Sequence, residues 1–500
     1  MKKSMFATIL AAAGLVSLAS CGNNDCPAEQ KPVGEAEGKV LNVMCWNNEF
    51  QQRFESFYPD FVGQKKEGSI TYDMLRDGTK VRFIIEPNDN NNYQNKLDAA
   101  LKAQESTAAD EKIDMFLIEA DYATKYTKSD YTLDLKADIG LTDADLAEQY
   151  QYTKDIVTVD GKLKATSWQA TPGLFAYRRD LAQQVLGVSE PADVQKELSD
   201  WTKFNAVAKK AHEKGIKMLS GFADNFRPYS NNMEKPWVEE KDGEKVVRLD
   251  PKIKEWIVTT KDYATKGYID DVKLWSGQWQ ADQGPQGYEV VSGEGENQTV
   301  STGKLTFGFF YSTWGINFTL AGNADPQHLG KVYTEDGKLD VSKSLYGDYA
   351  VCEGPASWYW GGSWLCAAKG TDNKGLVNDV MYKLTCSQQI AKSITRETQD
   401  YTNNKAAMHS IATDATYGSD FLGGQNHIAL FENSAAKISM KNAGPYDQTL
   451  NEGIQNAFEP FFFGTATYQS CLTTYKSTVE EKVNGLTFAP DWASWDGVSL

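Results

Sequence analysis

The side chains of this sequence that could do chemistry are mainly aromatic and acidic. Ser357-Trp358-Tyr359-Trp360-Gly361-Gly362-Ser363-Trp364 crowds four large rings and two glycines into one short stretch. Trp and Tyr each pair an apolar ring with a polar handle, which suits a concave site for a partly polar ligand. The glycines allow a sharp turn or a close backbone approach. The same stretch would also serve as a packed core corner. Strand alternation would put Trp358 and Trp360 on one face and Tyr359 on the other, so at least one ring belongs to the core. Glu119-Ala120-Asp121 places two carboxylates side by side. They could act as the paired acids of a glycan hydrolase or accept hydrogen bonds from ligand hydroxyls, and binding is the favoured reading.

Other chemistries find little support. The four histidines, His212, His328, His409 and His427, are dispersed, and no phosphate-binding loop or nucleophile elbow occurs. A metal centre, a Ser-His triad and a resident cofactor are therefore not expected. Pro87-Asn88-Asp89-Asn90-Asn91-Asn92 lacks the glycine and terminal glutamate of a calcium loop and reads as a turn and helix cap. A net charge of −17 disfavours nucleic acid and direct adsorption to anionic lipid.

The elements that must position these residues alternate in type. Val40–Cys45, Val81–Ile85 and Ile113–Ile118 are apolar runs of strand length. Between them, Phe50, Phe54 and Phe57 form a helical stripe closed by Pro59, and Tyr93, Leu97, Ala100 and Leu101 form another. Such alternation predicts a parallel α/β sheet, with ligands at the carboxyl ends of its strands. Those ends are Trp46-Asn47-Asn48 and Glu119-Ala120-Asp121. Further along, Asp160-Gly161 marks a hairpin. Ser199-Asp200-Trp201 opens a helix that Gly215 ends. Trp256 falls on the core stripe of a helix with Ile253 and Ile257. Trp275-Ser276-Gly277-Gln278-Trp279 reads as a loop from which Trp279 could reach a ligand, and Gly284–Gly295 as an exposed loop. Leu305–Phe310 reads as a strand leading to Trp314, with Ser312 or Thr313 as a helix cap.

At the start, Met1-Lys2-Lys3 precedes an apolar run too short to span a bilayer comfortably. Leu18-Ala19-Ser20-Cys21-Gly22 follows and resembles a bacterial lipobox, which implies cleavage before Cys21 and lipidation of that cysteine. The polar Gly22–Gly38 stretch reads as a flexible tether. Six cysteines besides Cys21 remain, Cys26, Cys45, Cys352, Cys366, Cys386 and Cys471. Export permits disulfides, and Cys352–Cys366 is the first pair to consider, although all could stay reduced.

Taken in order, several landmarks resemble the family-1 extracellular solute-binding proteins that serve sugar importers of the ATP-binding-cassette type. These are the lipobox, Asp160-Gly161-Lys162, Gly173-Leu174-Phe175-Ala176-Tyr177-Arg178-Arg179-Asp180, Asp200-Trp201-Thr202-Lys203-Phe204, and Gly303-Lys304-Leu305-Thr306-Phe307 through Trp314. Ser312 and Arg178 depart from the family pattern. The resemblance implies a two-lobed α/β periplasmic-binding-protein-like fold with a ligand cleft between lobes joined by hinge crossings near 155–165, 345 and 400. It divides the chain into a signal peptide (1–20), a lipidated tether (21–38), lobe 1 (39–160 and 346–400) and lobe 2 (161–345 and 401–500, with the C-terminal helices). It further implies a non-enzymatic monomer tethered outside the cytoplasm that hands a carbohydrate to a permease. The expected ligand contacts are Trp46, Asn47, Asn48, Glu119, Asp121, Trp168, Trp279, Trp314, Trp360 and Trp364. A polyamine or peptide binder and a surface glycan hydrolase are the alternatives.

Overall fold

The computed structural model describes residues 38–494. The signal peptide, Cys21, Cys26 and nearly all of the tether lie outside the described residues. Among the described residues, no helix is long and apolar enough to cross a membrane.

The apolar run Val40–Cys45 lies within a seven-stranded sheet. Lys80–Ile85 and Met115–Glu119 flank it, both parallel to it. The connecting helices Glu49–Phe57 and Asn92–Ala103 follow from the two apolar stripes. Phe50 and Phe54 are buried, with Phe83 of the adjacent strand 6.1 and 5.6 Å away. An antiparallel hairpin, Phe61–Glu67 with Ile70–Leu75, extends one edge of the sheet. Its charged outer face hides the alternation that would reveal it in sequence. On the other side Ser363–Ala367 runs antiparallel to Met115–Glu119, and Thr166–Ser167 forms the edge.

A second sheet has three antiparallel strands with Gly173–Arg178 at its centre, between Gly308–Ser312 and Tyr349–Cys352. It is covered on both faces. Leu174, Ala176, Phe309, Tyr311, Tyr349 and Val351 join one hydrophobic core, while Phe175, Tyr177, Phe310, Ala350 and Cys352 join the other. The alternation of side chains along a strand thus links the two cores through one sheet. Burial on both faces also explains why these strands read as continuous apolar runs.

The chain passes between the sheets at 168–172 and returns at 353–362, somewhat beyond the positions expected near 155–165 and 345. These crossings lie side by side with a third near 400. Asn403 N donates to Trp168 O at 2.8 Å, Ala170 N to Tyr401 O at 3.1 Å, and Gly173 N to Trp358 O at 2.7 Å. Gly173 is required at this contact, since a Cβ there would sit 2.2 Å from the Trp358 ring.

Several local expectations change. Gly284–Gly295 is not wholly a loop, because Glu289–Ser292 pairs with Thr299–Thr302 as a hairpin. The strand expected over Leu305–Phe310 covers Gly308–Ser312, and Thr313 donates to Asp400 rather than capping a helix. Residues 357–362 are irregular rather than a strand, so simple alternation does not govern them. Cys352 and Cys366 are not a disulfide. Both are free, one in each core, as are Cys45, Cys386 and Cys471.

Candidate functional site

A cavity of about 300 Å³ opens where the two sheets and the crossings meet. Trp46 and Asn47 reach it from the end of Val40–Cys45, and Glu119 from the end of Met115–Glu119. Tyr311, Ser312 and Trp314 arrive from the end of Gly308–Ser312, and Gln169 and Trp360–Ser363 from the crossings. Carboxyl ends of strands thus converge on one space, as α/β sheets favour.

Trp275 occupies the centre of the aromatic wall. Its ring centroid lies 5.6 Å from Trp360 and 6.3 Å from Trp314. Its φ of 67° is a left-handed conformation unfavourable for a bulky residue. Gln280 Nε2 donates to its carbonyl at 3.1 Å. The surrounding fold therefore holds this indole, 49% exposed, in a strained position over the cavity. Behind Trp360, the Tyr311 ring lies nearly parallel at 6.2 Å. Trp46 is braced edge-on against Tyr93 and Tyr122. Gly361 and Gly362 adopt φ of 70° and 109°, bringing backbone to the cavity wall where a side chain would be strained.

Two carboxyls face the same space. Glu49 Oε1 accepts from Gln169 Nε2 at 2.6 Å, and that amide also lies 3.3 Å from Asp400 Oδ2. Burial and the neighbouring Asp400 push the Glu49 carboxyl up to about 7, against the pull of Arg53 and the Gln169 hydrogen bond. Burial and Asp121 also push Glu119 well above the ordinary range, opposed by Arg227. Asn47 Oδ1 accepts from Glu49 N at 3.1 Å, fixing the start of the helix.

The expected contact residues divide accordingly. Trp46, Asn47, Glu119, Trp314 and Trp360 are brought together on the wall. Asn48 is exposed, and it precedes the helix without lining the cavity. Trp168 is buried against Phe50 at 5.2 Å. Trp364 is buried with its indole N–H donated to Thr153 O at 2.8 Å. Trp279 is buried and donates to Asp224 at 2.8 Å. A short helix, Gly277–Ala281, capped by Ser276, turns Trp279 inward and leaves Trp275 at the cavity. Either indole of that pair fits a loop reading, and only the helix decides between them. Glu49 and Gln169 carry no aromatic signal and are legible only as neighbours of Asn48 and Trp168.

Asp121 does not line this cavity. Its two carboxylate oxygens accept from Arg227, one at 2.7 Å. That pair joins the loop after Met115–Glu119 to the short helix Phe226–Ser230 of the second core. With Asp121 committed in this way and the Glu119 carboxyl accepting from Asp121 N, the two do not form an acid/base pair flanking the cavity. Among the described residues, no group of His, Cys, Asp or Glu could hold a metal ion.

The fold recurs among solved structures. An extracellular solute-binding protein of family 1 superposes with a TM-score of 0.64 at 15% identity, covering 89% of this chain and 99% of that one. An ABC transporter associated binding protein from Bifidobacterium animalis subsp. lactis, solved with β-1,6-galactobiose, gives 0.59 at 16%, covering 90% and 99%. The galacto-N-biose/lacto-N-biose I-binding protein of Bifidobacterium longum, solved with lacto-N-biose, gives 0.60 at 12%, covering 89% and 98%. At such identities these likenesses establish the fold, a two-lobed periplasmic-binding-protein-like architecture. No curated protein matches the sequence. A family model described as bacterial extracellular solute-binding protein matches residues 72–421. That span runs from the first sheet, through both crossings, to beyond the third, so the chain is a member of this family: an extracytoplasmic solute-binding protein rather than an enzyme.

Proposed function

We propose that the protein captures an oligosaccharide without anionic groups in this cavity and delivers it to the permease of an ABC importer. The observation that carries the reading is the convergence of Trp46, Trp275, Trp314 and Trp360 with Glu49, Gln169 and Glu119 on one space. Indole faces suit the apolar faces of pyranose rings, and carboxyl and amide groups suit their hydroxyls. The cavity wall holds two carboxyls and no Lys, Arg or His, which disfavours uronates and sulfated sugars. The similar structures solved with β-1,6-galactobiose and lacto-N-biose are consistent with a carbohydrate. A polyamine would also be drawn to acidic and aromatic groups. Burial works against it here, because it raises the protonation range of both carboxyls and weakens their negative charge. Cys21 supplies the lipid anchor in this reading, and the two lobes, divided at the crossings 168–172, 353–362 and near 400 rather than at 160 and 345, close over the ligand.

A thermal-shift panel of neutral oligosaccharides, polyamines and peptides tests the reading, since a ligand raises stability by mass action. A neutral oligosaccharide is expected to raise the melting temperature. A shift given by polyamines alone would overturn the carbohydrate class. Replacing Trp275→Ala is expected to weaken the hit about tenfold in calorimetric titration while leaving the unliganded melting temperature nearly unchanged.

A further inference from the structure

The aromatic wall does not stop at the cavity. Trp360 and Trp314 each neighbour Trp275, at 5.6 and 6.3 Å, and Phe318 adds a further ring, 5.9 Å from Trp314 with ring planes 27° apart. Phe318 lies outside the cavity wall and is 46% exposed, while Trp314, shared between wall and outer surface, is 37% exposed. A phenylalanine so placed gains little by burial, and its neighbour toward the cavity is a ring of the cavity wall.

The segment that carries it is held firmly. Gly315–Leu320 forms a π-helical turn directly after Trp314. A Cβ at Gly315 would lie 2.0 Å from the Tyr311 ring, so the turn sits directly on a cavity residue. Asn317 Nδ2 donates to Gln399 O at 2.7 Å, tying the turn to the third crossing. π-Turns of this kind occur frequently at functional sites. The outer ring is therefore fixed relative to the cavity rather than carried on a free loop.

We propose that Trp314 and Phe318 form an outer subsite for the next unit of a glycan whose first units occupy the cavity. This inference rests on the carbohydrate reading above and adds a direction and a length to it. The ring-to-ring steps are comparable to one pyranose unit. Continuity with the cavity wall makes the occupant the same ligand chain rather than a separate molecule. The exposed end implies that longer chains bind with their distal units projecting into solvent.

Calorimetric titration with malto-, cello-, xylo- and galacto-oligosaccharide ladders, from disaccharide to pentasaccharide, tests it. In the ladder that binds, affinity is expected to rise roughly fivefold to tenfold beyond the disaccharide. Phe318→Ala should abolish that rise while leaving the disaccharide affinity unchanged, and Phe318→Trp should preserve it. Disaccharide binding with no dependence on length, or an equal loss for every length in Phe318→Ala, would overturn the subsite alone. Absence of binding by every ladder would overturn the carbohydrate reading and the subsite with it. Impaired uptake by Phe318→Ala cells with unaltered oligosaccharide affinity would make Phe318 a permease contact and also overturn the subsite.

Discussion

Glu49 stands in the cavity wall with Gln169 hydrogen-bonded to it and the Asp400–Arg53 pair behind. Burial and Asp400 raise its carboxyl from 4.5 to about 7, while Arg53 and Gln169 pull the other way. In that interval the folded chain holds a proton that the unfolded chain has released. The stability from this group is full below pH 4.5 and is lost as pH rises through about 7. The melting temperature of the unliganded protein is expected to fall between about pH 5 and about pH 8, and to fall less steeply in Glu49→Gln. Identical slopes in differential scanning calorimetry would rule out this assignment. The group was hard to read from sequence because a glutamate in the first turn of a helix ordinarily faces water. Trp46, Asn47 and Glu119 were easier, since each follows directly on an apolar run whose end could be located. Trp168 and Trp364 lie near the same ends, but nothing in their neighbours' types reveals that their rings turn into the core.

Between elements, the Asp121–Arg227 pair is the notable contact. It joins the loop after Met115–Glu119 to the helix Phe226–Ser230, whose side chains belong to the second core. Both side chains are 17% exposed, so screening by solvent is limited. Removing the guanidinium would leave Asp121 close to Glu119 and Asp447, both of which its charge raises in protonation range. Arg227→Met is expected to open the unliganded cleft, raising the radius of gyration in small-angle scattering, and to weaken ligand binding. An unchanged scattering profile in Arg227→Met and in Asp121→Asn would show that the pair does not hold the lobes together. The alternation of strand and helix was legible at this scale, as was Asp200 capping the helix Trp201–His212. The hairpin Phe61–Leu75 and the turn reversing Trp275 and Trp279 were not. Both depend on short-range backbone geometry that apolar periodicity does not encode.

Across the molecule, the three hydrogen-bonded crossings and the sheet shared by both cores favour bending at the crossings over sliding of one lobe past the other. Trp360 sits on a crossing and Trp275 on a separate loop held by Gln280, so bending at the crossings would change their spacing while each keeps its own support. The order of landmarks in sequence carried the two-lobed fold. The positions of the crossings came less directly, because residues 168–172 and 353–362 pair with one another over a long separation. Reduction is a further test at this scale. The described cysteines are all free and buried, and burial pushes Cys352 and Cys386 up to about 12. Dithiothreitol is expected to leave the melting temperature of a form beginning at Gly38 unchanged, and a clear drop would reveal a cross-link. When folded, that form should likewise ignore thiol-directed dyes, since the reactive species is the thiolate and its cysteines are buried. A single surface cysteine introduced on each lobe would then be the sole labelling site on its side, turning the silent interior into a clean background for measuring lobe closure with a pair of fluorophores.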